Sequence, residues 1–404
     1  MNPNNHIEQL IHNLCPSGVP QKTLGEVCHL KRGRGLSKND IVPTSVSTLP
    51  IVLYGELYTT YSGHVKEIKS SAVKEKAILG TEARIGDLLL PISSTTKEAQ
   101  IGCAADLLID KTIYVGGDAI VLSHHQNSGY LMYYINSAQF EKEKMACVSG
   151  TTIRHLSPTK LMQISIPLPP LPIQEEIVRI LDTFTELITN IDTEIQKQQC
   201  ELDLCRKQIF HQLNCKYEQL SSIFDMRGGY TPSTKNPEYW TDNTGYSWYT
   251  MDDIRKNGRK LDNSIRHITE KAVKGKGLFP KGTIVFATSA TIGEHAILMK
   301  PALTNQRFTA IIPKKDDVYM MFYYHYAFII DEWCLQHIKR GGFNSVDMDG
   351  FAKLPIPLPP LSEQRAIAEK LDTFEKLITN LKTERDLRQQ QYEYYREKLI
   401  NLLK

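Results

Sequence analysis

No apolar run in this 404-residue chain approaches the 18 residues of a membrane-spanning helix. The first residues, Met1-Asn2-Pro3-Asn4-Asn5-His6, lack the apolar core of a secretion signal. These two absences set the expectation of a cytoplasmic protein with no membrane partner. An excess of one charge is missing too: 48 Lys and Arg face 45 Asp and Glu, so the net charge of +3 by itself says nothing about nucleic acid. The eight cysteines form no Cys-x-x-Cys pair, and Cys200 and Cys205 are spaced wrongly for a zinc knuckle. They read as reduced, mostly packed thiols.

Catalytic signatures are equally scarce. No Gly-x-x-x-x-Gly-Lys-Ser/Thr phosphate loop occurs; Gly275-Lys276-Gly277 is too short. There is no Gly-x-Ser-x-Gly elbow and no His-Glu-x-x-His pair. The Asn-Pro-Pro-Tyr-like signature of amino-methyltransferases is approached only by Asn236-Pro237-Glu238-Tyr239, which lacks the second proline. His124-His125 has no third metal ligand nearby in the sequence and reads as a surface or loop pair. The expectation is a chain without catalytic residues, metal or cofactor of its own.

What the chain does contain is a duplication. Residues 166–190 return at 356–380 with one offset of 190, no gap, and 16 of 25 positions identical. The shared pieces are Ile-Pro-Leu-Pro-Pro-Leu, Leu-Asp-Thr-Phe and Leu-Ile-Thr-Asn. Proline suits only the first turn of a helix, so Pro170 and Pro360 mark where two helices begin. In the first, Ile173, Ile177, Ile180, Phe184, Leu187 and Ile191 alternate four and three apart, a coiled-coil seam. A second step of four, to Ile195, is a stutter before Leu202, Cys205 and Ile209 resume the pattern. The second copy runs Ile367, Leu371, Phe374, Leu377, Leu381, then Tyr392, Tyr395, Leu399 and Leu402. Helices of about 43 residues would span roughly 64 Å. So long an apolar stripe needs a partner, and the other copy is the nearest candidate.

The rest of the chain arranges itself around these helices. Residues 7–14 read as a short amphipathic helix ended by Pro16 and Gly18. Leu10-Ile11-His12-Asn13-Leu14 resembles both Ile209-Phe210-His211-Gln212-Leu213 and the closing Leu399-Ile400-Asn401-Leu402-Leu403. The two chain ends are therefore expected to meet. The stretches 20–170 and 215–360 have the short β-branched runs of mixed α and β structure. Predicted strands are Leu49–Tyr54, Asp87–Pro91 and Ala119–Leu122 in the first, and Ser247–Thr250, Thr283–Ala287 and Phe308–Ile312 in the second. An aromatic helix follows in each, Tyr130–Phe140 and Tyr319–Trp333. A Gly-bearing loop, Ser149–Thr152 or Arg340–Asn344, then precedes the prolines. The expected fold is α+β: two mixed α/β domains separated by two long helices that pair as an antiparallel coiled coil, with two-fold pseudo-symmetry.

Three features recur in both domains and suit a nucleic-acid surface. Lys31-Arg32-Gly33-Arg34-Gly35 sets cations among glycines, which let backbone approach a phosphate, and Arg227-Gly228-Gly229-Tyr230-Thr231-Pro232-Ser233 takes the corresponding place. Residues 251–281 carry nine Lys or Arg against four Asp or Glu, a basic face for counterion release. The aromatics Tyr239, Trp240, Tyr246, Trp248 and Tyr249 cluster around it. Ser93-Ser94-Thr95-Thr96 and Thr288-Ser289-Ala290-Thr291 offer hydroxyls to phosphates or base edges. Taken singly, each is as readily a solvated turn or a piece of core. Recurrence in a duplicated chain favours DNA.

At these residues the chain resembles the specificity (S) subunits of type I restriction-modification systems over essentially its whole length. The Pro-Leu-Pro-Pro-Leu lead-in, Gln174, Gln364 and Gln391–Leu399 look like that family's two helical conserved regions. Leu53-Tyr54-Gly55-Glu56-Leu57-Tyr58-Thr59 looks like one class of its target-recognition domains. Gly229–Ser233, Trp248, Thr291-Ile292-Gly293 and Asn305-Gln306-Arg307-Phe308 look like another. Ile173 departs from the family, which often has an acidic residue there, as Glu363 is in the second copy.

The resemblance implies a segment at 1–18, target-recognition domains at 19–171 and 215–361, a central conserved helix at 172–214 and a C-terminal one at 362–404. It implies binding of double-stranded DNA at a split, asymmetric target, with the paired helices as a ruler for the unread spacer. It also implies two modification subunits, which use S-adenosylmethionine to methylate adenine N6. ATP- and Mg-dependent restriction subunits would join through them, so the cofactors belong to the partners. The residues expected at DNA are Lys31, Arg32, Arg34, Tyr58 and Thr95 in the first domain. In the second they are Arg227, Thr231, Lys235, Trp248, Arg255, Thr288 and Arg307. Two other classes compete. A DNA-independent coiled-coil scaffold would tolerate alanine at Arg32, Arg34 and Arg227, and a stand-alone nuclease or methyltransferase would be active as the purified chain.

Overall fold

The computed structural model describes residues 3–404 apart from 62, 97–99, 243 and 340–343. Most of the Arg340–Asn344 loop thus lies outside the described residues. The two long helices start where the prolines direct, at Leu171–Gln212 and Leu361–Asn401. The chain divides into two compact units, the first of which is discontinuous in sequence. One comprises Met1–Asp192 with Thr383–Lys404; the other is Thr193–Lys382. Each unit therefore holds one globular domain, half of one long helix and half of the other.

Within the first unit the helix halves run antiparallel. Phe184 stacks on Tyr395 at 5.2 Å, while Asp192, further along, meets Arg385, further back, at 3.2 Å. Ile7 of the helix Pro3–Leu14 lies in the same core cluster as Leu399, Ile400 and Leu403. The chain ends meet in this unit. In the second unit the buried Arg206 bonds Glu375, and Leu202 and Phe210 share a core with Leu371 and Ile378.

The buried stripe differs from the predicted seam. Leu187 and Leu377, expected inside, are 41% and 44% exposed, while their neighbours Ile188 and Ile378 are buried. A heptad seam assumes one partner. Here each helix half also packs on a domain's aromatic helix, so the buried face is turned toward both.

Both domains carry the same five-stranded sheet. In the first, the order is His29–Arg32, Ala119–Ser123, Leu88–Pro91, Ala105–Leu107, Gly63–Val65. In the second it is Phe224–Gly228, Phe308–Pro313, Ile284–Ala287, His295–Leu298, Lys260–Leu261. Every pairing is antiparallel except that of the last strand. The six predicted strands all appear, to within two residues at each end. The predicted helix Tyr130–Phe140 is instead two, Ser128–Ile135 and Ala138–Met145. Ser137 divides them: its side chain accepts from Phe140 N at 3.2 Å and caps the second. The proline runs hold strands missed by the sequence reading. Ser165–Pro167 pairs with Gln21–Thr23, and Pro355–Pro357 with Tyr217–Gln219.

Duplicated residues fasten each domain to its helix. Gln174 is fully buried; its oxygen accepts from Asn127 N at 3.0 Å and its nitrogen donates to Pro169 O at 2.7 Å. Gln364 repeats this with Tyr319 N and Pro359 O. The aspartate of Leu-Asp-Thr-Phe takes a cationic group from the outermost parallel strand in both cases. Asp182 accepts from His64 Nε2 at 2.8 Å, and Asp372 from Lys260 Nζ at 2.9 Å.

His64 Nδ1 also meets Asp106, at 2.7 Å. Burial alone would lower the imidazole pKa, but the bonds and charges of Asp106 and Asp182 push it up to about 9. A raised histidine contributes stability that is fully present below its unfolded value of 6.5 and lost as pH rises through about 9. Unfolding midpoints of the intact chain should therefore fall across that window. His64→Gln, which cannot titrate, should flatten the fall; an unchanged slope would remove His64 from this role.

Candidate nucleic-acid interface

Lys31 and Arg32 lie on the outer strand His29–Arg32 of the first sheet, and Arg34 follows it. All three are exposed, and their cationic groups make no ion pair among the described residues. The glycines between them are required by the local fold. A Cβ on Gly33 would sit 1.9 Å from Gly116 O, and Gly35 has φ +68° with Leu79 O 2.5 Å from the same position. Thr95 is exposed, just before the undescribed 97–99. Tyr58 is half-buried and its hydroxyl donates to Ser93 O at 3.0 Å. Burial raises its pKa, so it stays a neutral prop for the Ser93 strand.

In the second domain Arg227 occupies the matching outer strand. Its guanidinium donates to Lys276 O at 2.9 Å and lies 4.2 Å from the centre of the Phe279 ring. Arg227, Tyr230, Lys274, Lys276 and the left-handed Gly275 and Gly277 line a cavity of about 340 Å³. Thr231 bonds Gln306 at 2.6 Å, and Thr288 N donates to Arg307 O at 3.0 Å. Arg307 is exposed with no side-chain partner among the described residues, and Lys235 is exposed likewise. Arg255 lies on the helix Met251–Asn257, 3.5 Å from Asp252.

Two expected residues are corrected. Trp248 is 4% exposed, with its indole donating to Tyr230 O at 2.9 Å and packed edge-on against Trp240. It has no free face for a base. Thr288 is buried, and its hydroxyl is engaged with Thr309 Oγ1 at 2.9 Å. Sequence reading missed Arg266 as an individual residue, although it lies in the basic stretch. Its guanidinium lies 3.7 Å from the Trp240 ring centre, so the aromatic cluster carries an exposed cation on its surface.

Among the described residues, His325, Asp372 and Glu375 place donor atoms close enough for a metal ion. Lys260 Nζ already lies 2.9 Å from both carboxylates, and Arg206 bonds Glu375. Protein cations fill the role a metal would take. No helix among the described residues is long and apolar enough to cross a membrane.

The family model described as "Type I restriction modification DNA specificity domain" matches residues 16–198 and again 214–388, one copy for each half of the duplication. The chain belongs to this family. Among its specificity-family relatives, the EcoprrI specificity subunit of Escherichia coli is 43% identical over 196 residues, 45% of this chain and 49% of that one. The EcoR124I/EcoR124II specificity subunit of Escherichia coli is 33% identical over 60% of this chain and 64% of that one. The matches thus span about half to under two thirds of the length of these relatives. A type I S subunit from M. genitalium shares the fold, with a TM-score of 0.56 at 15% identity over 94% of this chain and 95% of that one. A chain from a structure of type I R-M complex assembly gives 0.62 at 18% identity, over 96% and 98%.

Proposed function

We propose that this specificity-family chain reads DNA for a type I restriction-modification complex. Its two globular domains each bind one half of a split, asymmetric target. The paired helices set the unread spacer and dock two modification subunits, which methylate adenine N6 and carry S-adenosylmethionine. Restriction subunits, with ATP and Mg, join through these. The chain itself is non-catalytic and acts in the cytoplasm, and its segments are those the sequence marks at 1–18, 19–171, 172–214, 215–361 and 362–404.

The observation that carries this reading is the run of exposed cations without ion pairs among the described residues, Lys31 and Arg32 on the outer strand of one sheet and Arg34 just after it, with Arg227 at the matching place in the other. Lys235 and Arg307 extend the second surface. Thr95 and Thr231 supply hydroxyls, and Arg255 a cation held only by an exposed pair of little strength. Arg32→Ala should weaken binding of the complex to duplex DNA evenly across sequences. The slope of log affinity against log salt should become shallower by about 0.9, since one phosphate fewer is neutralised. Parent-like affinity and slope for Arg32→Ala, Arg34→Ala and Arg227→Ala together would favour a DNA-independent scaffold.

A further inference from the structure

Three residues far apart in the first domain's sequence form a relay beside its cations. Ser93 Oγ lies 3.0 Å from Asp118 Oδ1 and 2.9 Å from His155 Nδ1. An ionised carboxylate only accepts, so the hydroxyl hydrogen points at Asp118. The serine oxygen must then accept from His155, so Nδ1 carries a hydrogen. In the uncharged form of the ring this leaves a lone pair on Nε2. It has no hydrogen-bond partner among the described residues, and His155 is exposed.

The relay is held firmly. Ser93 is 5% exposed, and its carbonyl takes the Tyr58 hydroxyl. Its strand, Ser93–Ser94, pairs with Arg154–Leu156. Asp118 has φ 60°, one of two non-glycine residues in the left-handed region among those described. Strain of that kind is kept where the surroundings fix it, often at functional sites. The turn abuts the basic stretch, since Ala119 O accepts from Gly33 N at 2.8 Å.

We propose that His155 is a base-reading residue for the first half-site. Its Nε2 accepts from an exocyclic amino group, adenine N6 or cytosine N4. Ser93 and Asp118 are positioning residues that hold the accepting tautomer. In the major groove those amino groups are donors, while guanine O6 and thymine O4 are acceptors that would face the lone pair unfavourably. Among the described residues the second domain shows no such relay at the matching ladder, where Ser289 bridges Ser345. The effect should therefore fall on one half-site only. The inference rests on the DNA-reading function proposed above.

The test is adenine-methylation mapping in cells carrying the modification partner with the parent chain, His155→Ala or Ser93→Ala. His155→Ala should reduce discrimination at one base pair of one half-site about tenfold, leaving the other half and the spacer unchanged. Ser93→Ala, which frees the tautomer, should loosen the same position to a smaller degree. Full discrimination with His155→Ala overturns the proposal. So does uniform loss of methylation by a variant that unfolds at the parent's temperature. A parent chain that adds no methylated motif overturns the DNA-reading function itself.

Discussion

Inserting four residues between Asp192 and Thr193 should lengthen the spacer in the methylated motif and leave both half-sites unchanged. This bond is where the first long helix passes from one compact unit to the other. Four residues add about 6 Å at ~1.5 Å each and a little over one full turn, so the helix continues on nearly the same face. Against roughly 3.4 Å per base pair, the spacer should grow by one or two base pairs. The half-sites should hold because each domain is fastened to its own stretch of helix, through Gln174 and Asp182 in one unit and Gln364 and Asp372 in the other. Motif mapping checks this. A changed half-site with the old spacer would mean that the helices do not act as a ruler.

Arg206→Ala should produce the largest loss of stability. Arg206 is 2% exposed, and its guanidinium bonds Glu375, lies 3.0 Å from Asp203 and covers the Phe328 ring at 3.7 Å. Its removal leaves Glu375 with Lys260 as its remaining cation and opens a void beside His325. Breaking a buried pair from one side costs about 3 kcal/mol or more. For a unit of this size that lowers the unfolding temperature by roughly 6–12 °C. Arg396, at the equivalent place in the first unit, is only half-buried and bonds its neighbour Glu397, so Arg396→Ala should cost much less. Calorimetry on the two variants separates them. Equal losses would contradict the unequal burial.

The sequence displayed those parts of the fold that depend on local pattern. Proline runs stop strands and open helices, so Leu171 and Leu361 could be located within a residue or two. A repeat at constant offset pairs the helices with each other, and the likeness of residues 7–14 to the helix tails foretold the shared core of Ile7 and Leu403. The phase of the seam was not legible, because Leu187 and Ile188 differ only in which of two partners they face. Trp248 looked like a surface aromatic because nothing in its neighbours in sequence shows that Tyr230 O will take its N–H.

The candidate site divides along the same line. Exposed cations are legible wherever glycines and strand ends mark a loop, as with the exposure of Lys31, Arg32 and Arg34. The Ser93–Asp118–His155 relay joins segments 25 and 62 residues apart, and the His64 bond to Asp182 spans 118. Pairings over such distances leave no periodic trace.

The central claim, that this chain brings sequence recognition to a modification enzyme, is tested most directly by mapping adenine methylation in genomic DNA. Cells with this chain and its modification partner are compared with cells carrying the partner alone. The account predicts a new split motif with a fixed gap, methylated on both strands. An unchanged methylation map, with the chain expressed and bound to its partner, would contradict it.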